Sequence, residues 1–267
     1  MKTTKQRIEE IKREGYDLDF TTVFGNAFEN YKKIALMVGL FSLLLGLAFL
    51  VLFAVGFVLI YGMKDASFFE NINPEAMQPE NFSTPFLIAY IVAVVFLTAL
   101  FSPITAGFIK MARDAAKGEN ISFGTAFEYY SAPFFKEIFV AIVILTFFTT
   151  TISILLTFVG IQFIGGIVSL IISFFTFLAI PFIIFGNLKA IEAIQASVTV
   201  VSKHILILLG LGIVGFLFSM MGMIACCIGI IFTMPIIYSL YYCIYDEIIG
   251  VYENEEGDDF HEIERLN

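Results

Sequence analysis

Apolar residues in this chain do not alternate with polar ones; they run on in blocks. Ile34–Met63, Phe86–Ile109, Ile138–Phe185 and Ile205–Tyr245 contain no Asp, Glu, Lys, Arg or His. A helix needs about 20 residues to cross about 30 Å of hydrocarbon, and every block is at least that long. Membrane-spanning strands would alternate over about ten residues instead. Helices also satisfy their own backbone groups where no water is present. The pattern therefore predicts an all-α polytopic membrane bundle.

Two blocks exceed one span. The third breaks at Gly160-Ile-Gln-Phe-Ile-Gly-Gly166, and the fourth divides around Cys226, Cys227 and Gly229. Six spans follow, in three hairpins, at 34–63, 86–109, 138–159, 167–185, 205–225 and 228–249. An N-terminal segment, 1–33, and an acidic tail, 250–267, frame them. The first block is longer than a perpendicular crossing requires, so it is expected to tilt or to extend past the hydrocarbon.

Before each hairpin lies a short segment whose apolar residues recur at helical spacing. They are Phe20, Phe24, Ala27, Phe28 and Tyr31; then Phe123, Ala126, Phe127, Tyr130 and Phe134; then Leu188, Ile191, Ile194, Val198 and Val201. Such stripes suit amphipathic helices lying in the cytoplasmic interface. Phe24-Gly-Asn-Ala-Phe-Glu29 matches Phe123-Gly-Thr-Ala-Phe-Glu128, and Ala190-Ile-Glu-Ala-Ile194 is a looser third copy. The second helix of each hairpin carries one proline, Pro103, Pro181 or Pro235. Three units of interfacial helix plus proline-bearing hairpin are expected.

Composition agrees with the pattern. Hydrophobic residues make up 59% and charged ones 15%, too little polar surface to cover a water-soluble globule. Of the 15 Lys and Arg, only Lys64 lies in the loop after the first span or at any other site on that side. By the positive-inside rule both termini face the cytoplasm, and the loop with Asp65, Glu70, Glu75 and Glu80 faces outward. The first thirty-three residues are polar and the run after them is too long for a signal core, so the first span is expected to direct insertion into a bacterial inner membrane. The net charge of -9 and the acids after Gly250 argue against nucleic acid as a partner.

Ala190-Ile-Glu-Ala-Ile-Gln-Ala-Ser197, then Gly222-Met-Ile-Ala-Cys-Cys-Ile-Gly229, Thr233-Met-Pro235, and Tyr238, Tyr241 and Tyr245 carry a family likeness. On these residues the chain resembles bacterial six-helix membrane proteins of unknown function, similar to the membrane domain fused to some glycerophosphodiester phosphodiesterases. The resemblance covers most of the chain and implies a fold. It implies no catalytic residue, because the soluble phosphodiesterase domain is absent from this sequence.

Candidate chemistry is sparse. Thr146, Thr150, Ser153 and Thr157 share one face of the third span, and Ser169, Ser173 and Thr176 one face of the fourth. They suit either a polar lining for a small solute or lipid headgroup, or hydrogen bonds between packed helices. Gly212, Gly215, Ser219 and Gly222 form a small-residue seam on the fifth span, and Gly39, Ser42 and Gly46 a similar one on the first. Close helix packing is the simpler use of such seams and a dimer contact the sharper one. His204 and His261 are separated, and the cysteines lack metal-type spacing. No nucleophile elbow or phosphate loop is present. Glu128, Glu137 and Glu192 read as solvated helix faces. No catalytic residue, cofactor or metal is expected. The expected partners are membrane lipids, with a membrane protein partner or a second copy of the chain as further contacts. The function expected is that of a non-enzymatic scaffold, assembly or regulatory protein, with a passive channel or exporter as the alternative.

Overall fold

The computed structural model describes residues 3–61, 83–131, 133–224 and 229–250. Among them there is no strand. The first helix, α1 (Thr4–Glu14), lies in the segment expected to hold only the Phe20–Tyr31 stripe. Thr3 and Gln6 form a reciprocal cap: the Gln6 N–H donates to Thr3 Oγ1 at 3.3 Å, and the Thr3 N–H donates to Gln6 Oε1 at 2.9 Å. Gly15, with φ 77°, ends the helix, and Ile8 and Ile11 are its buried face.

Helix α2 (Phe20–Tyr61) runs for 42 residues and absorbs the first expected interfacial helix into the first span. The reason is local. Only Lys32 and Lys33 separate stripe from span, with neither Gly nor Pro there to break the ladder. Asp19 opens α2 by accepting the Thr22 N–H at 2.7 Å. Helix α3 (Thr84–Lys117) contains Pro103 and stops at Gly118, whose φ is 77°. The second expected interfacial helix is a 3-10 helix, Phe123–Tyr130. Helices α4 (Phe134–Phe158) and α5 (Gln162–Thr176) form the next hairpin. Its turn is shorter than the seven-residue break expected, because Gly160 at φ 79° reverses the chain alone. Gly165 and Gly166 sit inside α5.

Helix α6 (Ala179–Ile184) completes the fourth span and α7 (Ala190–Val201) is the third amphipathic element. Helix α8 (Ile205–Met221) is extended by a 3-10 turn at Gly222–Ile224. The chain closes with α9 (Gly229–Thr233) and α10 (Pro235–Ile249). Five helical stretches are long and apolar enough to cross a membrane: Phe20–Gly56, Thr84–Lys117, Phe134–Phe158, Phe163–Ile184 and Ile205–Ile224. Helices α9 and α10 make a sixth in two pieces. Met234 between them keeps helical angles, and its N–H still donates to Ile230 O at 2.8 Å. The protein is thus a multi-pass membrane protein. Bulky residues along α2 such as Leu50, Leu52 and Phe53 are exposed, which bilayer contact makes favourable and water would not.

The two separate amphipathic elements each bury an alanine and turn larger apolar residues outward beside it. Ala126 and Ala193 are buried, whereas Phe123, Phe127, Ile191 and Val198 face outward. Small residues let the backbone approach: a Cβ added to Gly107 of α3 would sit 2.5 Å from Ala126 Cα.

Aligning the repeats brings out a cyclic pattern. Phe24–Tyr31, Phe123–Tyr130 and Ala190–Ser197 superpose as eight-residue units whose fourth residues, Ala27, Ala126 and Ala193, are all fully buried. The eighth residue in each is a hydroxyl that bonds to the backbone three residues before a span proline. Tyr130 donates to Leu100 O at 2.9 Å, ahead of Pro103. Tyr31 donates to Phe232 O at 3.1 Å, ahead of Pro235. Ser197 Oγ accepts from the Leu178 N–H at 3.2 Å, ahead of Pro181, and donates to Phe175 O at 2.8 Å. Each unit thus braces the proline helix of the preceding one, and the first unit reaches back to the last. Proline removes a helical donor, so an external hydroxyl is well placed beside each weakened turn. At Pro103 the helix also helps itself, since Ser102 Oγ donates to Ala99 O at 2.8 Å, the carbonyl that Pro103 leaves without its usual amide.

Candidate functional site

The hydroxyl residues of the third and fourth spans separate into different roles. Ser153 and Ser169 meet across α4 and α5, Oγ to Oγ 2.9 Å. A Cβ on Gly165 would lie 3.3 Å from Ser153 Cα, so the glycine is what lets the helices close on that bond. Thr157 donates to Ser153 O at 2.9 Å and Thr176 to Ile172 O at 2.8 Å, each within its own helix. Thr146 and Thr150 are half-buried, and Ser173 is exposed. The seven residues do not converge on a common space.

The seam of the fifth span meets the sixth. A Cβ on Gly215 would collide with Leu240, and one on Gly222 with the backbone of Gly229 and Ile230. Ser219 donates to Gly215 O at 2.9 Å, and its own carbonyl accepts from Thr233 Oγ1 at 2.7 Å. Gly212 faces open space. On the first span Gly39 packs against the Phe232 ring, while Gly46 has no neighbour. Cys226, Cys227, Lys64, His261 and the tail lie outside the described residues. His204 packs against Tyr16 with ring centroids 4.6 Å apart and the ring planes tilted by 60°.

The three glutamates read as solvated helix faces also make contacts within the protein. Glu128 pairs with Lys110. Glu137 accepts the Ala190 N–H at 2.8 Å, placing a carboxylate on the first turn of α7, where the helix dipole favours it. Glu192 pairs with Lys5 of α1 at 2.9 Å, and this hydrogen bond holds its carboxyl below the ordinary glutamate range. Helix α1 adds Arg7 Nε to Ile248 O at 3.2 Å and receives Lys203 Nζ on Lys12 O at 2.8 Å. It is a strap across α7 and the end of α10. The sequence pattern missed it because each of those partners is more than 180 residues away.

A cleft of about 260 Å³ with a mainly polar lining lies between the basic end of α2 and the end of α10. From α2 come Asn26, Glu29, Asn30 and Lys33; from α10 come Tyr242, Cys243, Asp246 and Glu247. Both sets follow three-and-four spacing, so each is one helix face. Asn30 is 4% exposed, and its Nδ2 donates to Ala112 O at 2.7 Å. That bond leaves Oδ1 buried without a donor, an arrangement that costs about 1–3 kcal/mol. Lys33 Nζ donates to Ala115 O at 3.0 Å, and Tyr242 donates to Asp246 Oδ2 at 3.3 Å. Glu29 pairs with Lys32 at 2.7 Å. No protein family, curated protein or solved structure matches the chain. Among the described residues no three His, Cys, Asp or Glu side chains come close enough to hold a metal ion. What the cleft offers is acceptor oxygens.

The sequence signal for this cleft was present but ambiguous. Asn26, Glu29, Asn30 and Lys33 occupy the polar side of the first stripe, which any solvated amphipathic helix would show. Only α10, some 200 positions along, makes that face one side of a cleft.

Proposed function

We propose that this chain is a non-enzymatic protein of the bacterial cytoplasmic membrane, with both termini inside, acting through lipid or protein contacts as a scaffold, assembly or regulatory factor. One observation carries the reading. Four hydroxyls of the third and fourth spans are used inside the protein, Ser153 on Ser169 and Thr157 and Thr176 on their own backbones, while bulky apolar residues face outward. Polar groups engaged in this way stabilise a bundle and are not free to solvate a passing solute. The basic residues support the orientation.

Mild crosslinking in intact membranes followed by affinity purification tests the reading. A reproducible membrane partner is the expected result. A stable monomer without a partner, together with solute flux in liposomes, would overturn it in favour of a channel. In that case Ser153→Val and Thr157→Val would change the flux, whereas packing residues would change stability alone.

A further inference from the structure

We propose that the junction between the end of α3 and the 3-10 helix Phe123–Tyr130 is a proton-operated switch, in which Asp114 takes up a proton and the contact tightens. Asp114 lies beyond Ile109, where the apolar block of the second span ends, and is only 4% exposed. Its Oδ1 is buried without a hydrogen-bond donor. Arg113 Nη1 comes within 3.5 Å of that oxygen but makes no hydrogen bond to it. Two donors of α2 reach this turn and both go to the backbone instead, Asn30 to Ala112 O at 2.7 Å and Lys33 to Ala115 O at 3.0 Å. The carboxyl also stands in the last turn of α3, whose carbonyls disfavour a negative charge. Proton uptake there removes a charge held out of water with one oxygen unbonded.

The surrounding charges do not undo that burial. Lys110 and Arg113 of α3 favour the charged form, while Glu119 of the following turn and Glu128 of the 3-10 helix oppose it. Lys110 is already paired with Glu128, and the buried Tyr129 lies beside the acid. On the other helices packed against α3, Lys33 is bonded as above, Glu137 of α4 accepts the Ala190 N–H, Lys136 is exposed, and Arg113 also acts on Tyr242 of α10. Burial is the largest influence and pushes the carboxyl up to about 6. A carboxyl raised in the folded state stabilises in full below its ordinary range, and that contribution is lost as pH rises through the folded value. The contact is therefore tight in acid and looser near neutrality. Its output is Tyr130, which ends the 3-10 helix and donates to Leu100 O ahead of Pro103. The inference stands on this junction and not on the scaffold reading; the compartment whose pH is sensed follows from the orientation proposed above.

Hydrogen exchange of the full chain in nanodiscs, compared at matched intrinsic rates, reads the protection of residues 112–130. That protection should rise about fivefold or more from pH 7.5 to pH 5. D114N, neutral at every pH, should lose the dependence and hold at pH 7.5 the protection that the native chain reaches only in acid. E119Q removes an exposed acid that opposes ionisation of Asp114, so it should keep the dependence and move its midpoint to lower pH. Protection indifferent to pH in the native chain, or an unchanged dependence in D114N, would overturn the proposal. So would a midpoint unmoved or raised in E119Q, the variant that decides should D114N fail to fold.

Discussion

Ser197 shows how much one hydroxyl decides in this protein. It is fully buried, accepts the Leu178 N–H and donates to Phe175 O, spanning the gap between α5 and α6 that Pro181 keeps open. Removing it leaves two backbone groups without partners in a dry setting. Ser197→Ala should therefore lower the free energy of unfolding by about 1–3 kcal/mol. Ser173→Ala, which removes an exposed hydroxyl on the fourth span that Ser197 braces, should be neutral. Denaturant titration in detergent micelles measures both, and equal effects would refute the assigned roles. In the sequence these serines look alike, because each falls at helical spacing among apolar neighbours. Gly212 and Gly215 make the same point: one faces open space and the other meets Leu240.

Among the elements, α1 is the one whose attachment depends most on charge. The Lys5–Glu192 pair is exposed and contributes little alone, but Arg7 and Lys203 bond to backbone carbonyls beside it. The Glu192 carboxyl is held low by Lys5 first of all. A depressed carboxyl contributes its stabilisation in full above its ordinary range and loses it as pH falls through the folded value. The strap should accordingly be indifferent to pH near neutrality and loosen only under acid. Hydrogen exchange over Thr4–Glu14 should show unchanged protection from pH 8 to 6 at matched intrinsic rates. In Lys5→Met the carboxyl loses its partner, so any acid-induced loosening should begin at higher pH than in the native chain. A strap that loosens near neutrality would contradict this assignment. The interfacial elements carry a second lesson. Similar stripes gave three outcomes: continuation into a span at Phe20, a 3-10 helix at Phe123 and a separate α-helix at Ala190. Periodicity reports which residues share a face, and the breakers between segments decide whether a helix ends there.

For the whole molecule, α10 is a hub among the described helices, packed on α2, α3 and α8, so the bundle is not a row of three hairpins. The first long helix packs chiefly on α10, and α3 packs chiefly on α4, so neighbours in space are often not hairpin partners. Tyr31 on Phe232 O closes the circuit. Topology at this scale is testable by reporter fusions at Glu75 and after Asn267. An enzyme active only outside the cytoplasm should work at Glu75, and its cytoplasmic counterpart after Asn267; the reverse would overturn the proposed orientation.

Continuous apolar blocks and basic flanks were enough, by themselves, to determine an all-helical membrane bundle, its breaks near glycine and the position of its prolines, since lipid permits few other backbone arrangements. The six-residue match of Phe24–Glu29 with Phe123–Glu128 was also legible, Ala27 and Ala126 included. What only the tertiary structure decided was which polar atoms meet. The bracing of each proline turn, the strap formed by α1 and the cleft around Asn30 all join residues far apart in the chain. Local spacing places a side chain on a face of its helix. What that face touches is set by the packing of the other helices.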